Sequence, residues 1–148
     1  MSEIPIYKSK WQLQTGEKFK IKFILDESAK KTRVIMLSDE TKKTDQTIHW
    51  VEFNMWDYHT MVEIRKKATK YYNESGTFYV DNDLFNDMKI RYLLQNWSFA
   101  EIDPHMKLFH QNGMLVDESF LLFKTLYPWV VSEILVRMSA VLEGYEVR

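Results

Sequence analysis

Residues 116–144, VDESFLLFKTLYPWVVSEILVRMSAVLEG, are the most apolar stretch of the chain, and a proline divides them. Apolar side chains recur at helical spacing on both sides of Pro128, which predicts helix over nearly the whole stretch. Proline has no backbone N–H to donate. It therefore either kinks one helix or occupies the first turn of a second, where the missing donor costs nothing. Asp117 is placed to cap the first half. Trp129, Val130, Ile134, Leu135, Met138 and Val141 carry the apolar face on to Gly144, a C-terminal stop. Such a broken rod must bury its face against something. The expected packing partner is residues 82–97, NDLFNDMKIRYLLQNW, capped by Asp81 or Asn82. There Ile90, Leu93, Leu94 and Trp97 follow the i, i+3, i+4, i+7 pattern, and Leu84, Phe85 and Met88 form a second apolar patch. Two patches on one helix predict a central position between neighbours.

The front of the chain has a different period. Residues 18–25, KFKIKFIL, alternate, with Phe19, Ile21 and Phe23 on one side and Lys18, Lys20 and Lys22 on the other. That is a half-buried strand. TRVIML (residues 32–37) and TIHWVEFNM (residues 47–55) are further β-rich runs, separated by the polar tracts DESAKK and SDETKKTDQ. Residues 11–13 could add an edge strand, and TFYV (residues 77–80) a brief strand or an extended linker. The short connections predict an antiparallel meander. The fold class expected is therefore α+β. An N-terminal antiparallel β-meander of three to four strands precedes a bundle of three to four α-helices. One domain spans residues 1–148, with a β-rich half over 1–55 and a helical half over 56–148. Between them, a helix capped by Asp57 carries an apolar stripe of Met61, Ile64, Ala68 and Tyr71.

The opposite side of that helix carries Arg65, Lys66, Lys67 and Lys70, with Tyr71 and Tyr72 close by. Cations for phosphates and rings for stacking make a nucleic-acid footprint. Four cations near a helix C-terminus are equally what the helix dipole favours. The net charge of -1 gives the whole molecule no electrostatic case for nucleic acid. Its distribution is uneven, however: residues 1–80 sum to +3 and residues 81–148 to -4, which permits head-to-tail self-contact.

Bond chemistry finds little support. Cysteine is absent, which excludes disulfides and thiol catalysis and fits a reducing cytoplasm. The histidines are His49, His59, His105 and His110, with no i, i+4 pair. Asp103, His105 and His110 cluster in one loop, where a metal is a minor reading against exposed polar residues. SFAEI (residues 98–102), with Ser98 and Glu101 at capping-box spacing, reads as a short helical turn ended by Asp103-Pro104, and Asn112-Gly113 reads as a turn. No dinucleotide, phosphate-loop or nucleophile-elbow motif occurs. The expectation is a non-enzymatic protein without cofactor or metal. The N-terminal residues lack a signal-peptide pattern, and no apolar run approaches the length of a membrane span. What stands out is 5 Trp, 8 Tyr and 9 Phe, a content that either fills the core or supplies an aromatic contact surface.

The back of the chain resembles small structural proteins of tailed bacteriophages. The features that carry the resemblance are Leu93, Leu94 and Trp97; then Gly113, Leu115, Asp117, Glu118 and Ser119; then Leu126 and Pro128, followed by VVSEILVRMSAVLEG. They cover about a third of the chain. The resemblance implies a tail-assembly chaperone or a small virion subunit, found in the host cytoplasm during assembly or in the particle. Its partners would be other phage structural proteins and further copies of itself. It transfers no functional residue. The expected contact residues are the exposed members of the set Phe120, Phe123, Tyr127 and Trp129, against the reading that these rings fill the core. The alternative class is a nucleic-acid-associated regulator using Arg65, Lys66, Lys67 and Lys70.

Overall fold

The computed structural model describes residues 13, 16–26, 33–37 and 47–144. In chain order the strands and helices are β1 (Lys18–Asp26), β2 (Arg33–Leu37), β3 (His49–Asn54), α1 (Tyr58–Ala68), β4 (Thr69–Tyr72), β5 (Thr77–Val80), α2 (Asn82–Leu93), β6 (Leu94–Trp97), α3 (Phe99–Ile102), β7 (His110–Gln111), β8 (Met114–Leu115), α4 (Asp117–Lys124) and α5 (Pro128–Leu142). A 3-10 turn, Pro104–Met106, follows α3. The α+β class is as expected, with antiparallel N-terminal strands ahead of the helices; the described residues hold five helices rather than three to four, and the expected helical half also carries β4 to β8. Residues 11 and 12 of the expected edge strand, the polar tract at 38–46 and the C-terminal tail lie outside the described residues.

The sheet order is β2-β1-β3-β6, all antiparallel. This corrects the simple meander, because β3 pairs with β1 and not with β2. The nine-residue β1 offers two edges, and its register with β3 sets Phe19 opposite Phe53 and Ile21 opposite Val51. The apolar residues of both strands thus share one face. Phe23, Val51 and Phe53 on that face are wholly buried. On the other face Lys20 stands opposite Glu52 and Lys22 opposite Trp50. The ammonium groups of Lys18 and Lys20 lie 4.0 Å from the Glu52 carboxylate, and that of Lys20 lies 4.2 Å over the Trp50 ring. The lysine face is engaged across the strands.

The fourth strand comes from a segment expected to be helical. Helix α2 ends at Leu93, and Leu94–Trp97 joins the sheet beside β3. Leu94 faces Phe53 and Trp97 faces Val51, so three steps on β6 match two on β3. The extra residue is a β-bulge. It turns both Leu94 and Trp97 inward, and both are fully buried. An apolar spacing of three therefore arises here from a bulged strand, which is why it imitated a helix stripe. The Trp97 indole N–H donates to the Met106 carbonyl at 2.6 Å.

The caps follow the sequence in part. The Asp57 carboxylate accepts from the Thr60 N–H at 2.7 Å, and Asp81 from the Leu84 N–H at 3.0 Å. Asp117 is not the cap of α4. It lies inside the first turn and pairs with Arg91 at 2.9 Å. Nor does Ser98 cap α3: its hydroxyl accepts from the Trp50 N–H at 2.9 Å, and so ties the sheet. Asn112 and Gly113 both have positive φ, 55° and 76°, which gives the β7–β8 hairpin the twist its two short strands need.

Pro128 is the first residue of α5, so the chain breaks rather than kinks, and α4 and α5 are bent 107° from each other. Their inner faces, Phe120 and Phe123 with Val130, Ile134 and Met138, join the sheet residues and Ile64, Ile90 and Leu93 in one buried cluster. Helix α2 packs against α1, β6 and β8. Among the described residues no single helix is long and apolar enough to cross a membrane.

Candidate interaction surface

The chain leaves α1 without a loop. Thr69 is both the C-cap of that helix and the first residue of β4, and its hydroxyl donates back to the Arg65 carbonyl at 2.8 Å. The sequence KYYNESGTFYV then forms a two-stranded ribbon. Tyr71 pairs with Phe78 and Tyr72 with Thr77, around a turn closed by the Gly76 N–H donating to the Tyr72 carbonyl at 3.0 Å. Gly76 adopts φ +67°, a conformation in which a side chain would be strained. Strand alternation gives the ribbon two faces. Thr69, Tyr71, Phe78 and Val80 lie on one, and Lys70, Tyr72, Thr77 and Tyr79 on the other.

Neither face is covered. Every residue from Lys70 to Val80 is exposed. Phe78 is 73% accessible, Tyr71 53%, and Tyr72, Tyr79 and Val80 between 38% and 48%. The rings pair across the ribbon, Tyr71 with Phe78 at 5.0 Å and Tyr72 with Tyr79 at 6.4 Å, and the Tyr72 hydroxyl donates to the Glu74 carboxylate at 2.7 Å. Among the described residues no third strand joins β4 or β5. An isolated two-stranded hairpin is marginal in water, so anchorage matters. It comes from the base of the ribbon. The Asp81 N–H donates to the Ala68 carbonyl at 2.9 Å, and the Lys70 ammonium meets the Asp81 carboxylate at 2.8 Å. That pairing holds the Asp81 carboxyl below its usual range and Lys70 above it. The packing of α1 on α2 then holds both ends.

The four contact residues expected from the sequence separate into two pairs. Phe120 and Phe123 are core residues, 5% and 3% accessible, which removes them from any contact surface. Their helix presents them inward together with Ser119, whose hydroxyl accepts from the Phe109 N–H at 2.8 Å. Tyr127 is 64% accessible, and its ring stacks on Trp129 at 5.5 Å and 15°. Trp129 is half-buried against the core. Leu121 on α4 and Val136 on α5 are also exposed. Tyr127 and Trp129 therefore keep a surface, at the break between the two helices.

The basic set also divides. Arg65, Lys66 and Lys67 occupy the exposed last turn of α1, but Lys70 is on β4 and Tyr71 is no part of the helical stripe. The Lys67 ammonium lies 4.9 Å over the Tyr92 ring. Asp103, His105 and His110 are not brought together as ligands. Asp103 caps the 3-10 turn by accepting from the His105 N–H, and the His110 ring sits 2.8 Å from the Leu94 carbonyl. Among the described residues no three acidic, histidine or cysteine side chains could share a metal.

One buried cation was not anticipated. Lys89 on α2 is 4% accessible, directs its ammonium to the Ser139 hydroxyl at 3.1 Å, and lies 4.4 Å over the Phe85 ring. Burial lowers its pKa. His49, which packs beside the rings of Phe23 and Phe99, has its pKa lowered for the same reason.

The ribbon was the feature that sequence reasoning missed, and its signal was present. Two β-rich tetrads, TKYY and TFYV, flank a four-residue NESG turn, the spacing of a hairpin. Comparison with protein-family models, curated proteins and solved structures finds nothing that matches the chain.

Proposed function

We propose that this chain is a non-enzymatic interaction protein of bacteriophage morphogenesis, either a small virion subunit of the tail or baseplate or a tail-assembly chaperone. It works by presenting aromatic side chains to other structural proteins. The observation that carries the reading is the β4–β5 ribbon, with four aromatic rings and a valine in water on both faces of a hairpin. Large exposed apolar side chains in a contiguous group mark contact surfaces, and aromatic rings are enriched where proteins meet. The bacteriophage setting rests on the resemblance of residues 90–142. The structural devices behind it are the buried Leu94 and Trp97, the Asn112-Gly113 hairpin and the break at Pro128.

A test puts Tyr71→Ser and Phe78→Ser together into the gene in its natural genome. Both positions are exposed, so the protein should accumulate and fold normally while particle yield collapses. Normal yields of intact particles would remove the morphogenesis reading.

A second reading keeps the basic turn. Arg65 and Lys66 are exposed beside the ribbon, without an ion-pair partner among the described residues, and their neighbouring rings could stack on bases. Binding to single-stranded nucleic acid that weakens steeply with added salt would favour it.

A further inference from the structure

The ribbon has two open edges, and only one of them is guarded. The Asp81 N–H donates to the Ala68 carbonyl at 2.9 Å, in line with the register that sets Thr69 against Val80 and Lys70 against Tyr79. Antiparallel pairs alternate between hydrogen-bonded and open. Lys70 and Tyr79 therefore bond to each other, and the backbone N–H and C=O groups of Thr69 and Tyr71 point outward from β4. Those of Phe78 and Val80 point outward from β5. Among the described residues no strand receives either row. Such a row pairs readily with another extended chain, and proteins block it with lysine, proline or a bulge. Strand β4 carries Lys70 in the middle of its row, whereas β5, TFYV, has no charge and no proline, and its register with β4 is regular. We infer that β5 pairs edge to edge with β5 of a second copy, antiparallel about a two-fold axis at Tyr79. The inference rests on the contact reading above and names a partner and its mode of docking.

The register follows from the edge. Setting Phe78 opposite Val80 of the second copy uses every outward group of β5 and gives roughly four inter-chain hydrogen bonds. On one face Tyr71, Phe78 and the second copy's Val80 then form one row, and an aromatic ring opposite a β-branched side chain is a favourable cross-strand pair. On the other face the two Tyr79 side chains meet at the axis, and Asp81 stands opposite Thr77. The same pairing through β4 would set Lys70 against Lys70, and like charges directly opposite are unfavourable. Because the strands run antiparallel, the two α1 helices enter from opposite ends of the joint sheet, which keeps their Arg65, Lys66 and Lys67 apart. A two-fold contact closes at the dimer. An edge of four residues falls short of the ~800 Å² per partner of an ordinary interface, so the dimer should dissociate on dilution. Both faces of the ribbon stay open to other proteins.

Sedimentation velocity of the full chain tests this, with far-UV circular dichroism to verify folding. The wild type should show a monomer–dimer equilibrium and nothing larger. Tyr79→Lys and Tyr79→Glu each place like charges at the axis, so each alone should be monomeric, and their equimolar mixture should recover the dimer. The chain has no cysteine, which permits a second measurement. Under mild oxidation Tyr79→Cys should form a disulfide-linked dimer several-fold faster than Tyr72→Cys, which lies on the same face but on the outer strand. A wild type monomeric at every concentration overturns the inference, and so does a dimer that both charged variants retain. A mixture that stays monomeric while the wild type dimerises overturns the two-fold register, as does equal crosslinking at positions 72 and 79. Oligomers larger than the dimer contradict a closed contact. None of these results decides the contact reading, which particle yield judges separately.

Discussion

Phe123 and Phe78 are the same residue type in opposite environments, and replacing each with alanine should separate core from surface. Phe123 is 3% accessible and belongs to the central cluster. Removing its ring forfeits the transfer energy and leaves a cavity, for a cost of about 3–5 kcal/mol. A domain of this kind has only about 5–15 kcal/mol of stability in total. Phe78 is 73% accessible and touches mainly the Tyr71 ring at 5.0 Å. A cross-strand pair of that sort contributes roughly 0.2–1 kcal/mol. Urea unfolding followed by circular dichroism gives both values. With a slope of about 2 kcal/mol per molar urea, Phe123→Ala should lower the midpoint by about 2 M and Phe78→Ala by less than about 0.5 M. Comparable shifts, or a larger one at Phe78, would mean that the ribbon is packed in the folded chain, and the contact surface drawn here would not exist.

Three further outcomes follow from single residues. Asp57→Ala removes the α1 cap and should cost about 0.5–1 kcal/mol, at the low end because the site is exposed. The Thr60 N–H holds the Asp57 carboxyl below its usual range, so this contribution should be present at neutral pH and vanish as pH falls through the folded-state value; an acid titration of the variant's stability deficit checks it. Burial lowers the Lys89 pKa in the folded state, so the unfolded chain holds the proton more tightly. Wild-type stability should therefore rise as alkaline pH passes the folded value towards the ordinary one, and Lys89→Met should abolish that rise in urea melts taken across pH. Gly113→Ala forces a side chain into φ +76° and should cost about 1–2 kcal/mol by the same assay.

Periodicity was a sound guide where one face is buried and the register regular. The alternation of residues 18–25 placed Ile21 and Phe23 inside, and the helical spacing after Pro128 placed Val130, Ile134 and Met138 inside. It misled where a tertiary device altered the period. The bulge in β6 set Leu94 and Trp97 three residues apart on a strand. The order β2-β1-β3 was not legible either, because local pattern does not say which edge of β1 receives β3. For the surface, composition left core and contact as equal readings of the many rings and singled out none of them. The apolar density of FLLF drew attention to Phe120 and Phe123, yet a dense apolar helix is what a core uses. The rings left in water came from a hairpin with Lys70, Asn73, Glu74 and Ser75 among them, and those polar neighbours concealed them.

The central claim is that the ribbon touches another protein while the molecule works. Site-specific photocrosslinking in the cells that make it tests this most directly, with a benzophenone side chain at position 78 and a control at the exposed Asn112. Position 78 should yield one or two discrete crosslinked species, and position 112 none. A bare ribbon, giving no adduct at 78 or only the diffuse background seen at 112, would contradict it.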